Sequence, residues 1–409
     1  MKIVWSLPVR GERLTSSRGD LVRARSLIDG LRTDGHEVIV VEDAGQVDTQ
    51  AAVFAYRRVL RSLLSPHIAL ILRDTGRAVH GVLHGFRVAA TARRTRADLI
   101  IETQVAYAIS SALAAWLTGV PLVLDDCSPG AEESAFGAGL PGLARAVLSV
   151  QARCARSVIA VSPTLADMLT REGIPYEKLA CVPNGVNVQS FETADGASWR
   201  SAYGLQDGCV LGFVGSFQPW HRVELLIEAV ALLPPDSRIR VMLGGEGPGL
   251  EPVLRAVALR GLSSVISVGP VPANAIPSLL SACDVGVLPH SNAYGDPMKL
   301  REYAAAGLPS VAPDLDPVRR VIEHDVTGLL FPAGDAERLA AALMRLIAEP
   351  ALRRRLGQTA RLRSSAGSSW IERSRAIVAA AARDSRLPAC DATPAEGAAD
   401  AQWRAERLS

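Results

Sequence analysis

Lys299 and Glu302 stand three residues apart in "MKLREYAAAGLP" (298–309), an Ala-rich segment that follows the apolar run "CDVGVLPH" (283–290) and the loop "SNAYGDP". Pro297 suits the first turn of a helix, where its missing N–H does no harm. Residues three apart share one helix face. A helix N-terminus presents unpaired N–H groups and partial positive charge, which suits a phosphate, and Lys299 adds a point charge there. Glu302, one turn deeper, can accept from two vicinal hydroxyls such as those of a ribose. Phosphate and ribose together describe a nucleotide. An i,i+3 ion pair on a surface helix fits the same spacing, and spacing alone does not choose between them. The residue type sharpens the question, because of 44 Lys and Arg residues only Lys2, Lys178 and Lys299 are lysine.

Two more loops bear on it. "FVGSFQPWHRVELLIEA" (213–229) places Gly215, Ser216, Trp220 and His221 where a strand-like run hands over to a helical pattern. Glycine allows close backbone approach, a hydroxyl can bind phosphate, and His221 can donate to an anionic oxygen. "LGGEGPG" (243–249) also follows an apolar run, although a Gly-rich loop by itself reads equally as a plain turn.

The elements that position these loops follow from length and periodicity. A chain of 409 residues with 48% apolar content is too long for one ordinary core, and two domains of similar size are expected. Short apolar runs alternate with amphipathic stretches: "KIVWSL" (2–7), "EVIVVE" (37–42), "DLIIE" (98–102), "PLVLD" (121–125), "SVIAVS" (157–162) and "LACVP" (179–183). After a polar stretch at 187–208 the pattern restarts with "CVLGFVG" (209–215), "RIRVMLGG" (238–245), "SVISVG" (264–269), "DVGVLP" (284–289), "PSVAP" (309–313) and "GLLFP" (328–332). This spacing implies right-handed crossovers and parallel sheets covered on both faces, so two doubly wound α/β domains joined near residue 190 are expected. Ligands in such sheets sit at the carboxyl ends of strands, which makes the cleft between the domains the expected site.

In order and spacing, "GHEVIVVE" (35–42), "VSPTLADMLTREGIP" (161–175), "VPNGVNVQSF" (182–191), the 213–229 loop, "LGGEGPG", "ACDVGVLPH" (282–290), "MKLREYAAAGLPSVAPD" (298–314) and "VIEHDVTGLLFPAGD" (321–335) resemble one family. It is the nucleotide-sugar-dependent glycosyltransferases of the GT-B fold, in the large retaining group numbered family four. The resemblance runs from residue 1 to about 385. It implies a Rossmann-like acceptor-binding domain (1–190), a Rossmann-like nucleotide-sugar-binding domain (191–365) and a helix crossing back to the first domain (366–385), while the composition of 386–409, rich in Ala, Pro and charge, suggests a flexible tail.

The resemblance also implies roles for residues. Glu302 matches the second glutamate of the family's paired-glutamate motif, which holds the nucleotide ribose. Lys299, His221 and Glu302 are the implied catalytic group, with donor contacts from Gly215, Ser216, Arg222, Tyr294, Asp296, Met298 and Leu300. Gly19, Cys127 and Glu132 are implied on the acceptor side. Departures from the pattern stand at four places. Tyr294 occupies the first glutamate's position, Cys127 that of a common His, Arg222 that of a small Gly, and "GVN" that of "GVD". The activity implied is transfer of a hexose-type sugar from a UDP- or GDP-sugar to an acceptor hydroxyl with retention, a phosphate oxygen serving as base. No metal or other cofactor is implied, and the acceptor is a glycan, a lipid-linked glycan or a small molecule of cell-surface biosynthesis. A non-catalytic sugar-nucleotide-binding subunit or a sugar-nucleotide epimerase of the same fold are the rival readings.

Composition narrows the partners. A net charge of +2 argues against bulk nucleic-acid binding. Residues 54–96 nonetheless carry nine Arg against the single acid Asp74. That stretch reads either as a solvated helical face or as a surface resting on anionic lipid, at the inner face of the plasma membrane. The N-terminus is too soon polar for a signal peptide, so a cytoplasmic location is expected. Six cysteines without CxxC spacing suggest buried reduced thiols. "DLD" (314–316) mimics a metal motif but sits where Asp is an ordinary turn and cap residue. His80 and His84, one helical turn apart, lack a third ligand and suggest a surface helix.

Overall fold

Each apolar run named above becomes a strand. The computed structural model describes residues 1–9, 14–15, 18–42, 65–126, 128, 140–234, 238–364 and 369–382. Among the described residues the chain divides into two units, Met1–Pro183 with 370–382, and Asn184–Ser369. The change of unit thus falls at Pro183/Asn184 rather than near residue 190.

The first unit holds β1 (Lys2–Leu7), β2 (Glu37–Glu42), β3 (Leu99–Thr103), β4 (Leu122–Asp126), β5 (Ser157–Ala160) and β6 (Leu179–Cys181). They form a parallel sheet in the order β2-β1-β3-β4-β5-β6. Ile3, Trp5, Leu99, Ile101 and Val123 are fully buried beneath the helices Gly19–Thr33 and Trp370–Ala382. Ser374 joins those two helices by donating its hydroxyl to the Leu27 carbonyl at 2.9 Å. Arg23 and Asp125 form a buried ion pair at 2.8 Å, and Arg23 also donates to the Val182 carbonyl at 3.0 Å. Removing one partner of such a pair leaves an uncompensated buried charge.

The second unit holds β7 (Cys209–Val214), β8 (Ile239–Gly244), β9 (Val265–Gly269), β10 (Val285–Val287), β11 (Ser310–Pro313) and β12 (Gly328–Phe331). These too are parallel, in the order β12-β11-β10-β7-β8-β9. Both sheets therefore reverse direction beside their first strand, between β1 and β3 and between β7 and β10. Crevices for ligands open at such switch points, outside the carboxyl ends of the strands.

Two readings need correction. Cys181 is in a disulfide, whereas Cys154, Cys209 and Cys283 are free, because count and spacing along a long chain say nothing about which thiols meet. His84 is fully buried, with Nε2 3.2 Å from the Ser6 hydroxyl, and is not on a helix surface. Its helix, Pro66–Thr95, comes close to the 107–110 backbone at Gly81 and Gly85, where an added Cβ would lie 2.9 Å from Ala108 Cα and 2.8 Å from the Ser110 carbonyl. Arg57, Arg58 and Arg61, three of the nine arginines in the 54–96 stretch, lie outside the described residues, as does the tail 386–409. Among the described residues no helix is long and apolar enough to cross a membrane.

Candidate active site

The second unit's switch point gathers the residues with which the sequence reading began. β10 pairs with β7 through Val285–Leu211 and Gly286–Gly212, so the loops after both strands emerge side by side. After β10 the chain turns through residues 288–297 into the helix Met298–Ala305, whose start has no side-chain cap. Its first N–H groups are therefore available to an anion. Tyr303 holds this helix down: its ring packs where a Cβ on Gly286 would fall, and its hydroxyl donates to the Val287 carbonyl at 3.3 Å.

Lys299 is threaded between the two loops. Its ammonium lies 3.0 Å from His221 Nε2 and 5.7 Å from the centroid of the Phe213 ring. A Cβ on Gly215 would collide with Lys299 Cε and lie 2.8 Å from Nζ. A side chain at 215 would push the end of the lysine from its place.

Electrostatics divide the roles. Burial lowers the Lys299 pKa to about 8, opposed by the Glu302 charge, so the side chain is a cation at pH 7. Burial also raises the Glu302 pKa to about 7, opposed by Lys299. Burial, then the charges of Lys299 and His290, hold His221 down at about 2, so its imidazole is neutral. An ammonium donates to Nε2, which leaves the imidazole proton on Nδ1. That Nδ1 is buried without a hydrogen-bond partner. Among the described residues the Glu302 carboxylate also makes no hydrogen bond to protein. A cation, a neutral N–H donor and an uncommitted carboxylate, beside an uncapped helix start, can together receive a diphosphate and a diol.

The remaining predicted residues fall into different places. Ser216 is half-buried and brings its backbone against the third loop. That loop acts as a brace: Cβ atoms on Gly245, Gly247 and Gly249 would strike the carbonyls of Gly215, Ser216 and Phe217 in turn. Gly245 and Gly247 have φ of +124° and +144°, and Gly249 donates to the Phe217 carbonyl at 2.8 Å. Arg222 is exposed, with a left-handed backbone (φ +40°) that favours the glycine it replaces, and its guanidinium lies at Gly334, just after β12. Tyr294 is buried, Met298 is half-buried, and the Leu300 side chain belongs to the core.

Asp296 is already engaged. It accepts from Arg301 at 2.7 and 3.0 Å and from the Asn184 N–H at 2.6 Å, and the Asn184 amide donates to the Asp296 carbonyl at 2.6 Å. Three residues here were not anticipated: Asn184 in this clamp, Phe213 beside the Lys299 ammonium, and His290, whose Nδ1 is 3.1 Å from the Trp220 carbonyl. Each lies in a quoted segment, "VPNGVNVQSF", "FVGSFQPWHRVELLIEA" and "ACDVGVLPH", which offered the signal. In "DLD", Asp314 and Asp316 both pair with Arg319, at 2.6 and 3.1 Å. Among the described residues no group of three or more His, Cys, Asp or Glu could hold a metal ion. On the acceptor side, Gly19 opens the helix Gly19–Thr33 at the surface, and Cys127 and Glu132 lie outside the described residues.

Known proteins share this architecture. The model of Glycosyltransferase Family 4 matches residues 21–190, and that of Glycosyl transferases group 1 matches residues 208–349. A D-inositol 3-phosphate glycosyltransferase of Frankia alni is 31% identical over 49% of this chain and 52% of its own length. An alpha-D-kanosaminyltransferase of Streptomyces kanamyceticus is 28% identical over 51% of this chain and 55% of its own. The chain spans about half the length of the curated relatives it matches. Among solved structures, Anabaena HepE in complex with UDP-glucose superimposes with a TM-score of 0.71 at 20% identity, over 92% of this chain and 98% of that one. The lipopolysaccharide outer core galactosyltransferase WaaB, in its apo form, does so with a TM-score of 0.59 at 15% identity, over 93% and 99%. The fold is GT-B, with two Rossmann-like domains. With one model on each half, the chain belongs to the group 1, family four glycosyltransferases.

Proposed function

We propose that the protein transfers a hexose-type sugar from a nucleoside-diphosphate sugar to an acceptor hydroxyl with retention of configuration. The observation that carries this reading is the Lys299–His221 contact of 3.0 Å with the uncommitted Glu302 carboxylate one turn along the helix. Glu302 accepts from the two ribose hydroxyls. Lys299, the His221 Nδ1–H and the helix N–H groups receive the diphosphate, and their hold strengthens as negative charge develops on the leaving oxygen. The bond from the anomeric carbon to the phosphate oxygen breaks, and a bond from that carbon to the acceptor oxygen forms. The acceptor's proton passes to a phosphate oxygen of the departing nucleotide. With Asp314 and Asp316 engaged by Arg319, charge stabilisation is assigned to Lys299 and no metal is invoked.

Uridine is the first base to test, since a solved structure of the same fold is a UDP-glucose complex. The names of the similar proteins point to acceptors of two kinds, inositol 3-phosphate and a lipopolysaccharide outer core. Cell-surface glycan or glycolipid synthesis, at the cytoplasmic face of the plasma membrane and with the acceptor recognised by the first unit, accommodates both. A thermal-shift series with UDP-, GDP-, ADP- and TDP-sugars, followed by nucleotide release in EDTA with candidate acceptors, tests the reading. One donor is expected to stabilise the protein and to turn over in EDTA. Absence of a shift with every nucleotide sugar sinks it, and turnover that stops on chelation and returns with Mg²⁺ or Mn²⁺ refutes the metal-free step.

A further inference from the structure

A cavity of about 620 Å³ lies against the back of the helix Met298–Ala305, wholly within the second unit. Cavities of roughly 300–1,000 Å³ suit small-molecule ligands. Leu300, Arg301 and Ala304 form its wall on that helix. At 100° per residue these three centre about 180° from Lys299 and Glu302. A molecule in the cavity therefore touches the helix on the side away from the proposed diphosphate site and is not a reactant there.

Its lining combines two kinds of surface. Val186, Leu300, Ile322 and Ala360 are apolar and buried. With them stand Ser310, at the start of β11, and four arginines, Arg301, Arg319, Arg320 and Arg363. Arg319 is engaged by Asp314 and Asp316, and Arg363 by Glu323. The other donors are uncommitted. Ser310 is only 3% exposed, yet its hydroxyl makes no hydrogen bond among the described residues. Arg301 donates to Asp296 through Nε and Nη2, which leaves Nη1 without an acceptor among the described residues. Arg320 has no ion-pair partner among them. Buried donors in native proteins are almost always paired. Three donors from separate residues beside an apolar wall suit a ligand with several anionic oxygens and an apolar body. A phosphate monoester offers three such oxygens and a carboxylate two.

We propose that this cavity is an effector site for a small organic phosphate, coupled to the helix Met298–Ala305 through Arg301. The guanidinium whose Nη1 meets the phosphate also holds Asp296, and Asp296 with Asn184 clamps the start of that helix. An acceptor at Nη1 fixes the guanidinium without displacing Asp296, so occupancy favours the clamped helix and the nucleotide it receives. By linkage the nucleotide favours the effector by the same factor. Binding in the cavity is independent of the proposed transfer, whereas the coupling rests on it.

The probe is 1-naphthyl phosphate, titrated by calorimetry into the full-length protein without nucleotide, with 1-naphthol and inorganic phosphate as controls. It is expected to bind about tenfold or more tighter than either control, since neither offers both the ring and the charge. Arg320→Glu should weaken it about tenfold or more, and Ser310→Ala about three- to tenfold. Arg320 is exposed and the Ser310 hydroxyl has no partner to lose, so both variants should keep the parental melting temperature and the parental nucleotide affinity. Lys299→Met should bind the probe as the parent does. Saturating probe should raise the affinity for the nucleotide identified by thermal shift about threefold or more, a gain that Arg320→Glu removes. The site falls if naphthyl phosphate binds no better than its controls, or binds both cavity variants as it binds the parent. Loss of probe binding in Lys299→Met would place the probe in the donor site and overturn the inference. A bound probe that leaves nucleotide affinity unchanged or lowers it refutes the effector role. Probe binding by a protein that binds no nucleotide would refute the transfer reading and the coupling and leave the site standing.

Discussion

The two switch points hold the same kind of group in opposite states. At the end of β3, Glu102 is fully buried and lies opposite Ser6 of β1. It accepts from the Ser6 hydroxyl at 2.7 Å, the Ser111 N–H at 3.1 Å, the Gln151 amide at 2.8 Å and the Ser110 hydroxyl. Beyond β10, Glu302 meets one charge, Lys299, and no hydrogen-bond donor among the described residues. Burial raises both carboxyls to about 7, so the shifts do not distinguish them. What does is satisfaction: a buried polar group supplied with all its partners holds a core together. One left without them costs free energy that a ligand can recover.

Lys299→Met tests the contrast most severely. Loss of the only cation in the Lys299–His221 pair is expected to cut turnover by about 10²–10³-fold. The melting temperature should hold or rise, because a desolvated ammonium has been removed. A variant with parental turnover would show that the pair is a structural contact.

Gly215→Ala keeps every charge and tests placement. The new Cβ would displace Lys299, and turnover should fall by about 100-fold while the fold persists. Equal activity would mean that the lysine reaches its ligand from elsewhere.

Glu302→Gln should weaken nucleotide binding about 10- to 100-fold in calorimetry, as charge-assisted bonds to the ribose hydroxyls are lost. The parent's affinity should depend on pH with a definite sign. It rises as Glu302 ionises through about 7 and falls as Lys299 loses its proton through about 8. Glu302→Gln should flatten the acidic limb alone. An acidic limb that survives the substitution assigns it to another group.

Glu102→Gln is the reciprocal control and the smallest effect at the donor site. The amide would keep its oxygen toward the donors on Oε2 and set its NH2 against that of Gln151 at Oε1, which should cost about 1–3 kcal/mol of stability. Nucleotide affinity should stay within about twofold, since the site shares no partner with it. A large loss of affinity at unchanged stability would erase the distinction drawn here.

Legibility in the sequence differed between elements. All twelve strands could be read as apolar runs, because strands buried on both faces need continuous Val, Ile and Leu. Lys299, Glu302, Gly215 and His221 could be read as residues with suitable chemistry at strand ends. That Gly215 lies against the end of Lys299, 84 residues later in the chain, could not. The same holds for the glycines of "LGGEGPG", which read equally as a ligand loop or a plain turn and whose packing against the 215–217 backbone is set by tertiary structure. Asp296 looked like a donor ligand and is held by Arg301 and Asn184.

The lysines show where the division lies. Sequence alone determined that lysine is exceptional in this chain, that the chain repeats a strand–helix alternation, and that loops with glycine and polar groups end its strands. Those are properties of composition and period, which local preference and burial impose on every stretch separately. Only the tertiary structure decided what each polar group faces. Lys178 donates to the carbonyls of Ala152, Arg153 and Ala155 at 2.9, 2.7 and 3.0 Å and closes a helix end, while Lys299 stands beside an orphan donor and a free carboxylate. The two side chains are identical in type, and their partners come from distant parts of the chain. Whether a cation is spent on the fold or left for a ligand depends on those long-range partners, which pattern along the chain does not encode.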